Sequence, residues 1–156
     1  MASPLVRARH ALGTSRPAMW ALSQGVCLAA PYFRSIRPRF TALEPGHVVA
    51  RMRKRRRVTN HIGTVHAIAM CNMAELVGGT CTDLLVPDHL RWIPVGMEVQ
   101  YVSLAKTSLT ATCDVDDPAS FSEPGDVIAP VTVTDESGKT VFEAQIRMRI
   151  SERPHA

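Results

Sequence analysis

The sequence predicts an α+β fold in which an antiparallel sheet wraps around one long, nearly all-apolar helix. Three observations lead there. A helical run beginning at Thr64 carries polar side chains only at Thr64, His66, Asn72 and Glu75, so it must be covered nearly all round. After Pro87 the chain changes to segments of alternating apolar and polar residues, the period of strands. A length of 156 residues, with 46% hydrophobic and 21% charged side chains, suits a single core of ordinary size.

The elements follow in order. Residues 4–30 hold helical stretches broken around Gly13–Pro17, with Pro31 closing the second. Pro38, Pro45 and Gly46 mark a loop. His47–Val58 reads as a strand whose alternation fades into Arg53-Lys54-Arg55-Arg56-Arg57. Asn60–Gly63 is a turn, and Thr64 is the expected N-cap of a helix to Val77, stopped by Gly78-Gly79. Strands are expected at Arg91–Ala105, Ser108–Val115, Val127–Asp135 and Thr140–Ser151, the last two joined by a Glu136-Ser137-Gly138-Lys139 turn. In the last strand Val141, Glu143, Gln145 and Arg147 alternate with Phe142, Ala144, Ile146 and Met148, which predicts one buried face. The expected organisation is a helical segment at 1–46 packed on a main domain at 47–151, with a flexible tail at 152–156.

The net charge of +4 hides a lopsided distribution. Residues 1–57 hold twelve Arg/Lys against Glu44 alone, or +11; residues 58–156 hold six against thirteen acids, or −7. A basic half points to an anionic partner, with pairing to the acidic half as the alternative. Cys27, Cys71, Cys81 and Cys113 show neither a CxxC nor a zinc-finger spacing, and Cys71 is expected in the core. A reduced, cytoplasmic protein fits that usage. An organelle leader is the lesser alternative, because Arg7, Arg9 and Arg16 precede any acid. No apolar run reaches the ~18–20 residues that span a bilayer.

Chemistry concentrates where the turn meets the helix. Burying a carboxylate without a partner costs several kcal/mol, so Glu75 in an oily helix is expected to have a task. The preceding loop offers the Asn60 amide, the His61 and His66 imidazoles, and backbone N–H groups at Gly63 and Val65–Ala67. N–H groups that open a helix lack intrahelical acceptors and sit at the positive end of its dipole, which suits an oxyanion. Structural alternatives stay open: Glu75 as a hydrogen-bonding group at an interface, His66 bonded to a loop carbonyl, Asn60 closing the turn, and Asn72 satisfying Glu75. His66 and Glu75 are nine residues apart, roughly 13 Å along the helix and on opposite sides, so they form no dyad within one chain. His47, His61 and His89 show no ligand spacing, and no metal is expected.

The pattern Asn60-x-x-Gly63-x-x-His66, with an acid fifteen residues after the asparagine, resembles hotdog-fold acyl-CoA thioesterases of the phenylacetyl-CoA type. Segments NHIGTVHAIAMCNMAEL, APYFRSI and RWIPVGMEVQY resemble more closely an uncharacterised hotdog family, over most of the chain including its N-terminal helix, which argues against a removed leader. One departure is that the His-Gly-Gly of the thioesterases is His66-Ala67-Ile68 here. The resemblance implies a hotdog domain, a homodimer or dimer of dimers, and a site shared between subunits. Asn60 and His66 of one chain would meet Glu75 of the other, with Glu75 as general base or nucleophile, Asn60 orienting water or thioester, and no cofactor beyond the coenzyme A of an acyl-CoA substrate.

Arg51, Arg53, Arg55 and Arg57 would share one strand face over about 20 Å, suiting the coenzyme phosphates through Arg55 and Arg57, with a solvated edge as the alternative. Arg91 and Trp92 are expected to line the acyl pocket, unless Trp92 is core. Two other functions compete. His61, fourteen residues before Glu75, resembles the His…Glu spacing of hotdog dehydratases, but the Phe-Pro and Pro-Gly of that motif are missing. A non-catalytic dimer binding acyl-CoA is the other; nucleic acid is disfavoured, because no aromatic-interleaved basic motif is present.

Overall fold

The computed structural model describes residues 3–153. Two short helices open it, α1 (Pro4–Leu12) and α2 (Arg16–Ala29). Ser3 and Ser15 cap them by accepting from the N–H groups of Val6 and Ala18, and a proline occupies the first turn of each. Met19 and Leu22 of α2 are buried in the main core. The α1 helix has no fully buried residue; Leu5 and Ala8 pack on the margin of the core, and polar contacts add to them: Arg9 donates to the Leu43 carbonyl and pairs with Glu44, and Ser3 donates to Asp83 at 2.6 Å.

Six antiparallel strands form one sheet in the order β1-β2-β4-β5-β6-β3. They are β1 (Arg39–Glu44), β2 (His47–Met52), β3 (Leu90–Tyr101), β4 (Leu109–Asp114), β5 (Gly125–Thr134) and β6 (Thr140–Glu152). The first was not predicted. Arg39–Glu44 sits between prolines and looked like loop, yet it pairs with β2 through a Pro45-Gly46 turn, with Gly46 at φ 82°. The helical segment expected at 1–46 therefore ends in a strand of the sheet. Alternation in β6 holds from Phe142 on: Phe142, Ala144, Ile146, Met148 and Ile150 are buried and Glu143, Gln145, Arg147 and Arg149 point out, whereas Val141, expected on the outer set, is buried as well. Asp135 closes the β5–β6 turn by accepting from the backbone N–H groups of Ser137 and Lys139 and from the Ser137 hydroxyl. The expected tail starts too early, because Glu152 pairs with Leu90, and Arg153 donates to the carbonyls of His89 and Leu90; residues 154–156 lie outside the described residues.

The long helix, α3 (Ala67–Leu85), lies across the concave face of the sheet and touches β1 to β6. This is the hotdog fold. Its limits differ from expectation at both ends. His66, not Thr64, is the N-cap, because Val65 is held in a short bridge to Thr59. Gly78-Gly79 do not stop the helix. A Cβ at Gly78 would meet Ile146 Cδ1 at 2.8 Å and one at Gly79 would meet the Trp92 ring at 3.0 Å, so both glycines let the sheet close onto the helix. The helix ends before Pro87, with the Val86 N–H donating to Thr82. No helix among the described residues is long and apolar enough to cross a membrane.

Candidate functional site

Residues 59–66 form a closed loop ahead of α3. The Thr59–Val65 bridge pins its base, the Asn60 N–H donates to the Thr64 carbonyl at 2.9 Å, and Gly63 takes φ 80° at the tip. Asn60 is half-buried, and its side chain is spent on this geometry. Its Oδ1 accepts from the Ile62 and Thr64 N–H groups at 3.2 and 3.1 Å, and its Nδ2 donates to Thr64 Oγ1 at 2.8 Å. The turn-closing role left open above is the one the structure shows.

Three of the four expected oxyanion donors are occupied. The Gly63 N–H donates to Asn60, Val65 to Ala105 at 2.8 Å, and His66 to Val58 at 2.8 Å. These acceptors lie on the loop's own base and on the segment after β3, not in the helix. Ala67, the first helical residue, is the remaining donor without an intrahelical acceptor. His66 is exposed, and its Nδ1 accepts from the Ile68 N–H at 3.1 Å. That bond places the proton of the neutral ring on Nε2, which faces outward as a second donor.

Glu75 is exposed, not buried, in the single chain, which corrects the expectation that drew attention to it. It continues a stripe on α3 made by exposed Ile68 and half-exposed Cys71, at the 3- and 4-residue spacing of one helix face. Cys71 is thus not fully buried but packs at the edge of the core; its Sγ lies 3.6 Å from the Tyr101 hydroxyl of β3. That contact, then burial, raises the phenol above its ordinary pKa. Cys27, Cys81 and Cys113 are buried, and all four thiols are free. Asn72 does not serve Glu75. It is buried on the other side of the helix, and its Nδ2 donates to Ser35 Oγ at 3.0 Å and to the Tyr32 carbonyl at 3.4 Å. Its Oδ1 is buried with no hydrogen-bond partner.

The four expected substrate-binding residues are not brought together. The arginine row breaks because β2 ends at Met52 and residues 56–58 form a 3-10 turn, so Arg57, which is exposed, no longer shares a strand face with Arg51. Arg55 donates to the Ser35 carbonyl at 2.6 Å; burial, then the charges of Arg37 and Arg57, hold its guanidinium below the ordinary value. Arg91 lies exposed on β3, at the opposite sheet edge from β1, and bonds Ser151 at 3.1 Å. Trp92 packs over Gly79 and donates to Asp83 at 3.3 Å, so it is half-buried core. His61 is exposed in the turn.

Residues 18–150 match the domain of unknown function DUF4442. The chain belongs to this family. A DUF4442 assignment agrees with solved structures. One, from structural genomics, is 38% identical with a TM-score of 0.81, over 96% of this chain and 98% of that one. A Pseudomonas aeruginosa protein of unknown function, called a probable thioesterase, is 23% identical with a TM-score of 0.75, over 98% and 99%. A hypothetical thioesterase from Streptococcus pneumoniae, solved with coenzyme A, is 17% identical with a TM-score of 0.64, over 76% and 91%. The last two speak for the fold alone. No curated protein matches the chain.

Proposed function

We propose that this DUF4442 protein is an acyl-CoA thioesterase acting at a site shared by two copies of the chain. The observation that carries the reading is the α3 stripe. A mostly apolar helix presents Glu75 on the same face as exposed Ile68, two turns away, and β3, a twelve-residue edge strand, leaves Trp92, Met97 and Val99 only partly covered on its inner side. Tyr101, Val102 and Leu104 extend the same apolar margin. A second copy would cover this margin and bring its Glu75 toward the first copy's helix start. The thioesterase names and the coenzyme A of hotdog neighbours support the choice of substrate.

In this reading Glu75 takes a proton from water as the oxygen attacks the thioester carbonyl. The Ala67 N–H and His66 Nε2–H stabilise the oxyanion. Collapse breaks the C–S bond, and the proton on Glu75 passes to the departing thiolate, leaving a carboxylic acid and a free thiol. Asn60 contributes by fixing the loop that aims His66.

The test is thiol release from a panel of acyl-CoAs, read together with sedimentation of the protein. Hydrolysis by a dimer, lost in Glu75→Ala, is expected. Full activity in Glu75→Ala, or a monomer that hydrolyses as well as any dimer, would sink the reading. Water elimination from a 3-hydroxyacyl thioester without hydrolysis would favour a dehydratase using His61.

A further inference from the structure

A cavity of about 960 Å³ opens between the start of α2, the β1–β2 hairpin and residues 53–55. Its walls carry seven cationic side chains and one acid, Glu136. Arg39 and Arg51 stand directly opposite one another across the hairpin, a placement of like charges that weakens a strand pair. Arg16 opens α2, whose positive dipole end adds to the same field. Arg37 and Arg53 are exposed beside them. Among the described residues none of the seven is in an ion pair. Arg55 and Lys54 instead donate to the carbonyls of Ser35 and Lys106. Arg37 is also the single non-glycine residue among those described with a positive φ, 48°, a conformation that L side chains seldom adopt. Trp20 forms an exposed aromatic wall over buried Met19 and Phe40.

Self-repelling charge that the fold leaves unneutralised suits an anion brought from solution. The volume is that of a small-molecule site, and fork-shaped guanidinium groups match phosphate. We propose that this cleft binds a nucleotide: two or more phosphate groups against Arg39, Arg51 and their neighbours, and the planar base against Trp20. The ligand could be a free nucleotide or the nucleotide arm of a coenzyme-linked thioester. The binding requires no hydrolysis, so it stands or falls separately from the thioesterase reading.

Titration calorimetry of the full chain with coenzyme A, ADP, pyrophosphate and adenosine tests it. The three phosphate ligands bind and adenosine does not; Trp20→Leu weakens coenzyme A and ADP but spares pyrophosphate. Arg39→Gln with Arg51→Gln weakens all three about ten- to hundredfold, the size of a lost charge-assisted contact. The same pair raises the melting temperature by relieving repulsion, which a merely structural role would reverse; Arg51→Gln alone serves if the pair misfolds. A rise in KM for acyl-CoA but not for acyl-pantetheine identifies the substrate's own arm. Unchanged acyl-CoA kinetics with lost ADP binding identifies a separate nucleotide. No binding of the three phosphate ligands, binding indifferent to the substitutions, or tighter binding of a single-stranded oligonucleotide overturns the proposal.

Discussion

The two halves of α3 obey different rules. From Leu76 to Thr82 every residue is buried, and the glycines at 78 and 79 mark where the sheet presses closest. From Ala67 to Glu75 one face is equally buried, through Met70, Asn72, Met73 and Ala74, while the opposite face shows Ile68, Cys71 and Glu75 to solvent. The C-terminal half is a scaffold whose dimensions are set by contact. The N-terminal half is a scaffold on one side only, and its other side has chemistry that packing does not require. The difference separates what the fold needs from what is left for function.

That separation breaks most visibly at Glu75. Glu75→Gln should lower kcat for thioester hydrolysis by about a hundredfold or more, the usual weight of a general base, while thermal unfolding of the protein stays where it was. A large loss of stability instead would put Glu75 among the scaffold residues. Gly78→Val should do the reverse, costing about 3 kcal/mol of stability by overpacking against Ile146. Denaturant titration reads it, and a neutral result would mean the helix and sheet have room to part.

Asn60→Ala sharpens the boundary between the halves. Removing three side-chain hydrogen bonds from the 59–66 loop should cost about 1–2 kcal/mol and lower activity through a loosened His66. Asn60→Asp, which keeps the two acceptor bonds, should recover most of the stability. An equal loss in both variants would locate the role of Asn60 in Nδ2 instead.

The smallest effect is expected far from α3. Hydrogen bonding from Ser137, then the Lys139 and Ser137 backbone N–H groups, holds Asp135 below its ordinary pKa of 3.8. A depressed carboxylate stabilises the folded state above its unfolded pKa, and this stabilisation fades as pH falls through the lower folded value. Asp135→Asn should therefore flatten the acid limb of the stability profile slightly and leave neutral-pH activity alone. A change in activity would show that the turn communicates with the site.

Much of this was legible in the sequence because its signals are local. Alternation in 140–151 and the Gly138 turn located the final hairpin, and the apolar run located the helix. What escaped depends on partners distant in the chain. Gly78-Gly79 read as a stop because nothing in their neighbourhood announces Ile146 or Trp92 overhead. The N–H groups of Val65 and His66 looked free because their acceptors, Ala105 and Val58, belong to other segments. Arg39–Glu44 hid between prolines and a bulge at Phe40/Ala42, and with it went the pairing of Arg39 to Arg51. The +11 imbalance of residues 1–57 left an anionic partner and pairing with the acidic half both open, and only the missed strand sets Arg39 opposite Arg51.

The margin formed by β3 has a further property. Its register slips between Pro94 and Gly96, and proline has no amide hydrogen to offer a neighbour. Such an irregularity in an edge strand disfavours the indefinite edge-to-edge stacking that leads to fibrils. If two copies meet here as the proposed shared site requires, each brings the same irregularity to the seam.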